Sequence, residues 1–134
     1  MTGGQVAPTN LPFLAESSGV VYVARWTAYH VRYIAQAMVE AFQKKGFSFI
    51  EILSPCPTLY QRRNKMGDGL DTMRFYKQRS IIKNGARTHD VDISMQGDII
   101  VGKFVDIERP TLQQAMDQQL RQTLRDRYAG WGGV

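Results

Sequence analysis

The sequence predicts an α/β fold built on one parallel strand–helix–strand unit. Three observations carry this prediction. Val20-Val21-Tyr22-Val23-Ala24-Arg25 is a β-branched run of strand length. Val31, Ile34, Ala35, Met38, Ala41 and Phe42 then recur at the helical period. Phe47-Ser48-Phe49-Ile50-Glu51-Ile52-Leu53 follows at once as a second strand. Two strands joined through a crossover helix run parallel, and the crossover is right-handed.

Each element has its own signal. Residues 1–19 are rich in Gly, Pro, Thr and Ser and read as a loop, with Leu11, Phe13, Leu14 and Ala15 in a short docked turn. The first strand is apolar on both alternating sets, which predicts cover on both faces. Thr27 is the expected helix N-cap, its hydroxyl accepting an orphan backbone N–H. Lys44 and Lys45 lie at the negative end of the helix dipole. Gly46 offers the left-handed conformation that ends a helix. The second strand runs into Ser54-Pro55-Cys56-Pro57-Thr58. That loop presents the lone cysteine between two prolines, at the strand end where open α/β sheets bind ligands.

Residues 59–96 are less regular. Leu70 to Lys77 predicts a short helix with Leu70, Met73 and Tyr76 on one face, and Asn84-Gly85 is a turn signal. Asp98 to Ile107 reads as a strand or extended arm, with Gly102 marking a bulge. A last helix starts at Thr111, with Gln114 completing a capping box. Its narrow stripe of Leu112, Ala115, Met116, Leu120 and Leu124 faces this domain or a partner. The tail from Gly130 to Val134 carries no element, and no repeat is present. A doubly wound sheet needs about five or six strands. The chain therefore reads as the second half of a larger domain, or as a piece whose sheet a partner covers.

Composition sets the outer bounds. The 134 residues suffice for one modest domain, and 43% hydrophobic with 22% charged residues is ordinary for a folded protein. No apolar run is long enough to cross a membrane. Met1-Thr2-Gly3-Gly4-Gln5 lacks the basic and apolar regions of a secretory signal. One cysteine cannot make an internal disulfide. Together these predict a cytoplasmic protein. The net charge of +5 is concentrated: residues 61–90 carry eight Lys and Arg (Arg62, Arg63, Lys65, Arg74, Lys77, Arg79, Lys83, Arg87) against Asp68, Asp71 and Asp90. The rest of the chain sums to zero. Such a patch steers an acidic partner or binds phosphates, or is simply a solvated face. Nucleic acid is disfavoured, because no binding motif accompanies the charge and Tyr60, Phe75 and Tyr76 are too few for a stacking platform.

Several constellations are absent: a nucleophile elbow, a phosphate loop, and paired His/Cys metal spacing. His30 and His89 read as structural. Cys56 has three readings, as a small buried hydrophobe, a catalytic thiolate or one ligand of a metal centre. Iron–sulfur clusters need several thiolates, so this chain alone cannot complete one. The Met1-Thr2-Gly3-Gly4-Gln5 turn could bind an anion such as diphosphate through exposed N–H groups.

Taken together, these segments resemble the β subunit of 2-oxoacid:ferredoxin oxidoreductases. The matching stretches are Met1-Thr2-Gly3-Gly4-Gln5-Val6-Ala7-Pro8-Thr9, Tyr22 to Thr27, Tyr29-His30-Val31, Lys45 to Glu51, and Cys56-Pro57-Thr58 through Arg62-Arg63-Asn64-Lys65. Val101-Gly102 and Glu108-Arg109-Pro110 fit the family's C-terminal arm. The resemblance implies a partial thiamine-diphosphate-binding fold. Residues 1–58 are then the C-terminal half of that domain. Residues 59–134 are a basic segment with a C-terminal arm and helix, packed on the same domain or on a partner subunit.

The family binds thiamine diphosphate with Mg²⁺, holds a [4Fe-4S] cluster, and decarboxylates a 2-oxoacid to acyl-coenzyme A while passing electrons to ferredoxin. Companion subunits, ferredoxin, the 2-oxoacid and coenzyme A are the implied partners. Met1, Thr2, Gly3 and Gly4 inherit the place beside the cofactor diphosphate, and Cys56 matches the last cluster cysteine. Gly3 resembles the 2-oxoglutarate enzymes, whereas pyruvate enzymes often have lysine there. The family's Gly-Asp-Gly-Asp motif, its Mg²⁺-binding Asn and its other cluster cysteines lie upstream of the turn with which this sequence opens. A stretch that the family carries is also missing between about Thr9 and Leu11. The resemblance thus implies a piece that is inactive alone. The competing expectation is a non-catalytic module that docks an acidic partner, such as ferredoxin or a companion subunit, on segment 61–90.

Overall fold

The computed structural model describes residues 8–65, 67–94 and 97–128. It opens with helix α1 (Leu11–Ser17), a full helix where the sequence predicts only a docked turn. Asn10 is the reason: its side chain accepts from Phe13 N at 3.1 Å while its amide donates to Thr88 O at 2.8 Å. Pro12 adds a pre-set backbone angle in the first turn.

Strand β1 (Tyr22–Thr27), helix α2 (Val31–Gln43) and strand β2 (Ser48–Leu53) form the expected unit. β1 and β2 pair in parallel, from Tyr22 opposite Ser48 to Thr27 opposite Leu53. That pairing corrects the expected N-cap. Thr27 is the last residue of the strand, and His30 occupies the cap without a side-chain cap bond. The Thr27 hydroxyl is instead 2.8 Å from His30 Nδ1. The other helix end differs as well. Lys44 is the C-cap in an extended conformation, and Gly46 serves the turn into β2.

After β2, one π-helical turn (Pro57–Gln61) runs into the short α3 (Arg62–Asn64). Helix α4 (Gly69–Arg79) follows, closed by a capping box of Asp68 and Asp71. Tyr76 is buried as expected, but Leu70 stays exposed and Thr72 is buried instead. Strand β3 (Ser80–Ile82) has too short a run to be read from sequence. Strand β4 (Ile99–Asp106) completes a four-stranded sheet of order β2-β1-β4-β3. β4 is antiparallel to β1 and parallel to β3, so the sheet is mixed. Its register against β1 slips between Val105 and Lys103, so the extra residue is Phe104, while Gly102, where the sequence predicts the bulge, is paired with Arg25.

The core has two faces because side chains alternate along β1. Val20, Val23, Val91 and Val105 pack with Ala15 of α1 on one face. Ala24, Trp26 and Val101 pack with Ala37 of α2 and Tyr76 of α4 on the other. Helix α5 (Leu112–Leu124) begins with the expected Thr111–Gln114 capping box. It buries none of its residues, and Leu112 is 77% exposed. Its apolar stripe therefore does not face this domain. Among the described residues, no helix is long and apolar enough to cross a membrane.

Candidate functional site

The site grows from the C-terminal end of β2. Pro55 and Pro57 fix the backbone on either side of Cys56, since each ring locks its own φ. The Cys56 carbonyl accepts from Gln61 N at 3.1 Å, closing the π-helical turn. Gln61 is 2% exposed and anchors that turn to the next helix. Its Nε2 donates to the Asp68 carbonyl at 2.7 Å and to the Thr72 hydroxyl. A carbonyl only accepts, so this contact also fixes which end of the amide is nitrogen. Cys56 thus sits on a loop tied at both ends, and its own side chain is exposed. Exposure removes the reading of Cys56 as a small buried hydrophobe.

Beside Cys56 lies a cleft of about 490 Å³, lined by Ile52, Leu53, Pro55, Gln61, Phe75 and Tyr76 among others. It is mostly apolar with a few polar groups, the usual make-up of a ligand pocket. Among the described residues, no group of three His, Cys, Asp or Glu side chains could hold a metal ion. Cys56 therefore offers a single sulfur at the mouth of an apolar cleft. No imidazole or carboxylate is among the described residues that line the cleft.

His30 is buried, bonded to Thr27 and flanked by the rings of Trp26, Tyr29 and Tyr33. Burial lowers its pKa below the ordinary imidazole value. His89 is exposed, 3.2 Å from Asp90 Oδ1 and edge-on to Phe13. All eight basic residues of segment 61–90 are exposed. Arg74 meets Asp71 at 3.0 Å and Arg79 meets Asp98 at 4.0 Å. Exposed pairs of this kind add little stability, so the segment keeps its charge for other uses. Met1, Thr2, Gly3 and Gly4 lie outside the described residues.

Two features escape a reading by segments. One is the Gln61–Thr72 tie, which has no local signal. The other is a buried ion pair: Arg25 Nε meets Glu51 Oε2 at 2.6 Å, with side chains 0% and 10% exposed. Arg25 also donates to the Val91 carbonyl, so it joins β1, β2 and the loop before β4. Its signal is in the sequence: opposite charges stand at matching positions of two apolar strands. A second polar cluster locks α2 to β4. Lys103 bridges Glu40 at 3.1 Å and Asp106 at 2.6 Å, and Lys44 bridges Asp106 and Glu108 at 2.6 Å each. The bond from Lys103 holds the Glu40 and Asp106 carboxyls below their ordinary range.

No protein-family model matches the chain. Individual proteins do. The chain is 38% identical over 129 residues to 2-oxoglutarate synthase subunit KorB of Methanocaldococcus jannaschii, which takes in 82% of this chain and 47% of the relative. It is 36% identical over 131 residues to the subunit of the same name from Methanothermobacter marburgensis, covering 84% of this chain and 46% of the relative. A match of 131 residues exceeds 84% of a 134-residue chain, so that relative carries residues within the stretch that this chain lacks. A solved 2-oxoglutarate:ferredoxin oxidoreductase from Magnetococcus marinus, with 2-oxoglutarate, coenzyme A and succinyl-CoA bound, superposes with a TM-score of 0.68. That match covers 99% of this chain and 44% of the other at 23% identity, a likeness of fold. The chain thus spans about half the length of the curated relatives it matches.

Proposed function

From its likeness to the β subunits of 2-oxoacid:ferredoxin oxidoreductases, we propose that this chain is the C-terminal part of such a subunit, of the 2-oxoglutarate type. In the proposed reaction, 2-oxoglutarate and coenzyme A give succinyl-coenzyme A, carbon dioxide, a proton and two electrons. Ferredoxin takes the electrons. The observation that carries the reading is Cys56: an exposed thiol on a doubly anchored loop, at the C-terminal end of the parallel unit.

The cofactors fit the chain only in part. A [4Fe-4S] cluster supplies one-electron transfer and takes several thiolates. The described residues include one cysteine and no metal-binding group of three, so they fit one ligand and not a cluster. Thiamine diphosphate would meet the Met1-Thr2-Gly3-Gly4 turn, which lies outside the described residues, with Mg²⁺ held by residues not in this sequence. In this reading residues 1–58 are half of the cofactor-binding domain, and residues 59–134 carry the arm and the docking surface. The chain's own tasks are then limited. It presents the Cys56 thiol in a fixed position, lines an apolar cleft beside it, and keeps a basic surface next to both. The chain is inactive until the complementary portion joins it, and it works in the cytoplasm.

Iron content is the test. Co-expression with the complementary portion of the subunit is expected to give a brown, iron-containing complex. Cys56→Ala is expected to lose the iron while the complex still forms. Full iron in that variant would sink the assignment.

A second reading rests on a separate observation. Every basic side chain of segment 61–90 is exposed, and α4, which carries several of them, is tied to the Cys56 loop through Gln61 and Thr72. Here the segment steers acidic ferredoxin towards the loop. Its association rate should fall steeply with salt, and a rate indifferent to ionic strength would remove this role.

A further inference from the structure

The flank of α2 that carries Glu40 faces β1, β4 and the Asn84–Gly85 turn across a small pocket of about 130 Å³. Its inner wall includes Tyr22 and Trp26 of β1, which are 1% and 4% exposed. Tyr33, Gln36 and Asn84 are exposed and form its mouth. It shares no described lining residue with the cleft beside Cys56.

Most polar groups around this pocket are matched. Glu40 accepts from the Tyr22 hydroxyl at 3.0 Å, from Gln36 Nε2 at 2.9 Å and from Lys103 Nζ at 3.1 Å. Burial, with the bond to Glu40, raises the Tyr22 phenol above its ordinary pKa and keeps it a donor. Asn84 Oδ1 accepts from Lys103 N at 3.0 Å. The Trp26 indole is the exception. Its Nε1 is buried and has no acceptor among the described residues. An indole nitrogen only donates, and a buried donor left unmade is costly. Tyr33 stacks on the Trp26 ring at 4.7 Å with 17° between planes, and His30 packs against it as well. These contacts hold the donor in place.

Charge narrows what could satisfy it. Lys44 and Lys103 meet Glu40, Asp106 and Glu108 in one cluster, so carboxylates outnumber lysines beside the pocket. An anion gains nothing there. A cation would meet an N–H donor on the inner wall and a Glu40 carboxylate that already accepts three bonds. A wholly apolar group would leave the indole donor unmade. A neutral acceptor is what remains. The mouth adds two groups. Gln36 gives its Nε2 to Glu40 and keeps acceptor capacity at Oε1, while the contact from Lys103 N assigns Asn84 Nδ2 as a donor. A donor inside, with an acceptor and a donor at the mouth, complements a carboxamide.

We propose that this pocket binds the carboxamide of a small neutral molecule, whose carbonyl oxygen accepts from Trp26 Nε1 and whose amide nitrogen donates to Gln36 Oε1. The volume equals that of about four waters, which suits a short amide and excludes an extended ligand. Neither Cys56 nor its cleft takes part, so the site stands or falls apart from the subunit reading.

The test uses the full chain, isotope-labelled for magnetic resonance and carrying Trp131→Phe, so that Trp26 gives the one indole signal. Propionamide is titrated, with propionate and propylammonium as charged solutes of similar size. Propionamide should move the indole N–H signal to saturation, with the millimolar Kd expected of so few atoms. The two charged solutes should bind at least about tenfold more weakly. Gln36→Leu, at an exposed helical position, should weaken propionamide about fivefold. Trp26→Phe, followed on the side-chain amide signal of Asn84, should abolish saturation. A linear response common to all three solutes would mean that water alone fills the pocket, and overturns the proposal. Equal affinity for propionate or propylammonium overturns it too, as does saturable binding that survives Trp26→Phe. Should Trp26→Phe not fold, Gln36→Leu decides: unchanged affinity in that variant overturns the site.

Discussion

β1 and β2 lie side by side, in register over six residues, and differ in almost everything that stability depends on. β1 has β2 on one side, β4 on the other and helices on both faces. β2 has one neighbouring strand. The contrast teaches that a strand's composition states the surroundings it was shaped for, whereas its burial reports the surroundings it has. In β1 the two agree, with all six residues buried. In β2 they do not, with none buried, and the mismatch continues onto α2, where Val31, Met38, Val39 and Phe42 are exposed.

The largest test of this contrast is the ion pair that joins the two strands. Glu51→Ala leaves the Arg25 guanidinium buried without its partner and should cost about 3–5 kcal/mol in equilibrium denaturation. A loss below about 1 kcal/mol would mean that β2 is too loose to hold the pair. Replacing both residues with apolar ones, Arg25→Met with Glu51→Leu, should restore most of the loss.

Next come paired truncations on the two strands. Val23→Ala in β1 should cost about 2 kcal/mol, since Val23 is fully buried. Ile52→Ala in β2 should cost less than about 1 kcal/mol, because part of that side chain already meets water. Equal losses would break the contrast.

A smaller effect follows from His30, at the N-cap of α2 just after β1. Burial lowers its pKa in the folded chain, so the unfolded chain takes up the proton more readily. The resulting stability is complete above the unfolded value of about pH 6.5 and is lost as pH falls from there through the lower folded-state pKa. The melting temperature should therefore drop as pH falls from about 7 to 5, and His30→Asn should flatten that slope. An unchanged slope in the variant would place the titrating group elsewhere.

The smallest expected effect concerns α5. Thr111→Ala removes a cap worth about 1 kcal/mol of local helix. Amide exchange within α5 should quicken, while the global unfolding midpoint stays fixed because the helix buries none of its residues. A shifted midpoint would show that α5 is coupled to the body.

The central unit was legible in the sequence because its signals are local. The β-branched run, the helical period of α2 and the Thr111–Gln114 box each lie within a few residues. Features set by distant partners were not. Thr27 has the chemistry of a cap, but pairing with Leu53 keeps it in the strand. β3 is three residues long and exists through its bonds to β4. The helix at Leu11 depends on Asn10 reaching Thr88, far along the chain. At the candidate site, Cys56 stood out by its position between prolines. The anchor that holds its loop, Gln61 on Asp68 and Thr72, could not be read without the fold.

Gly102 has a consequence of another kind. Its backbone sits at φ +142°, and a β-carbon there would come within 2.8 Å of Asn84 Oδ1 and 3.1 Å of the Lys83 backbone. The alphabet at this position has shrunk to one letter. Genetic drift can change the exposed α2 residues, but it has no neutral path through position 102. Across the descendants of this gene, the position should stand still while its neighbours wander. Its constancy would record crowding within the chain, and would be no sign that the residue touches substrate or cofactor.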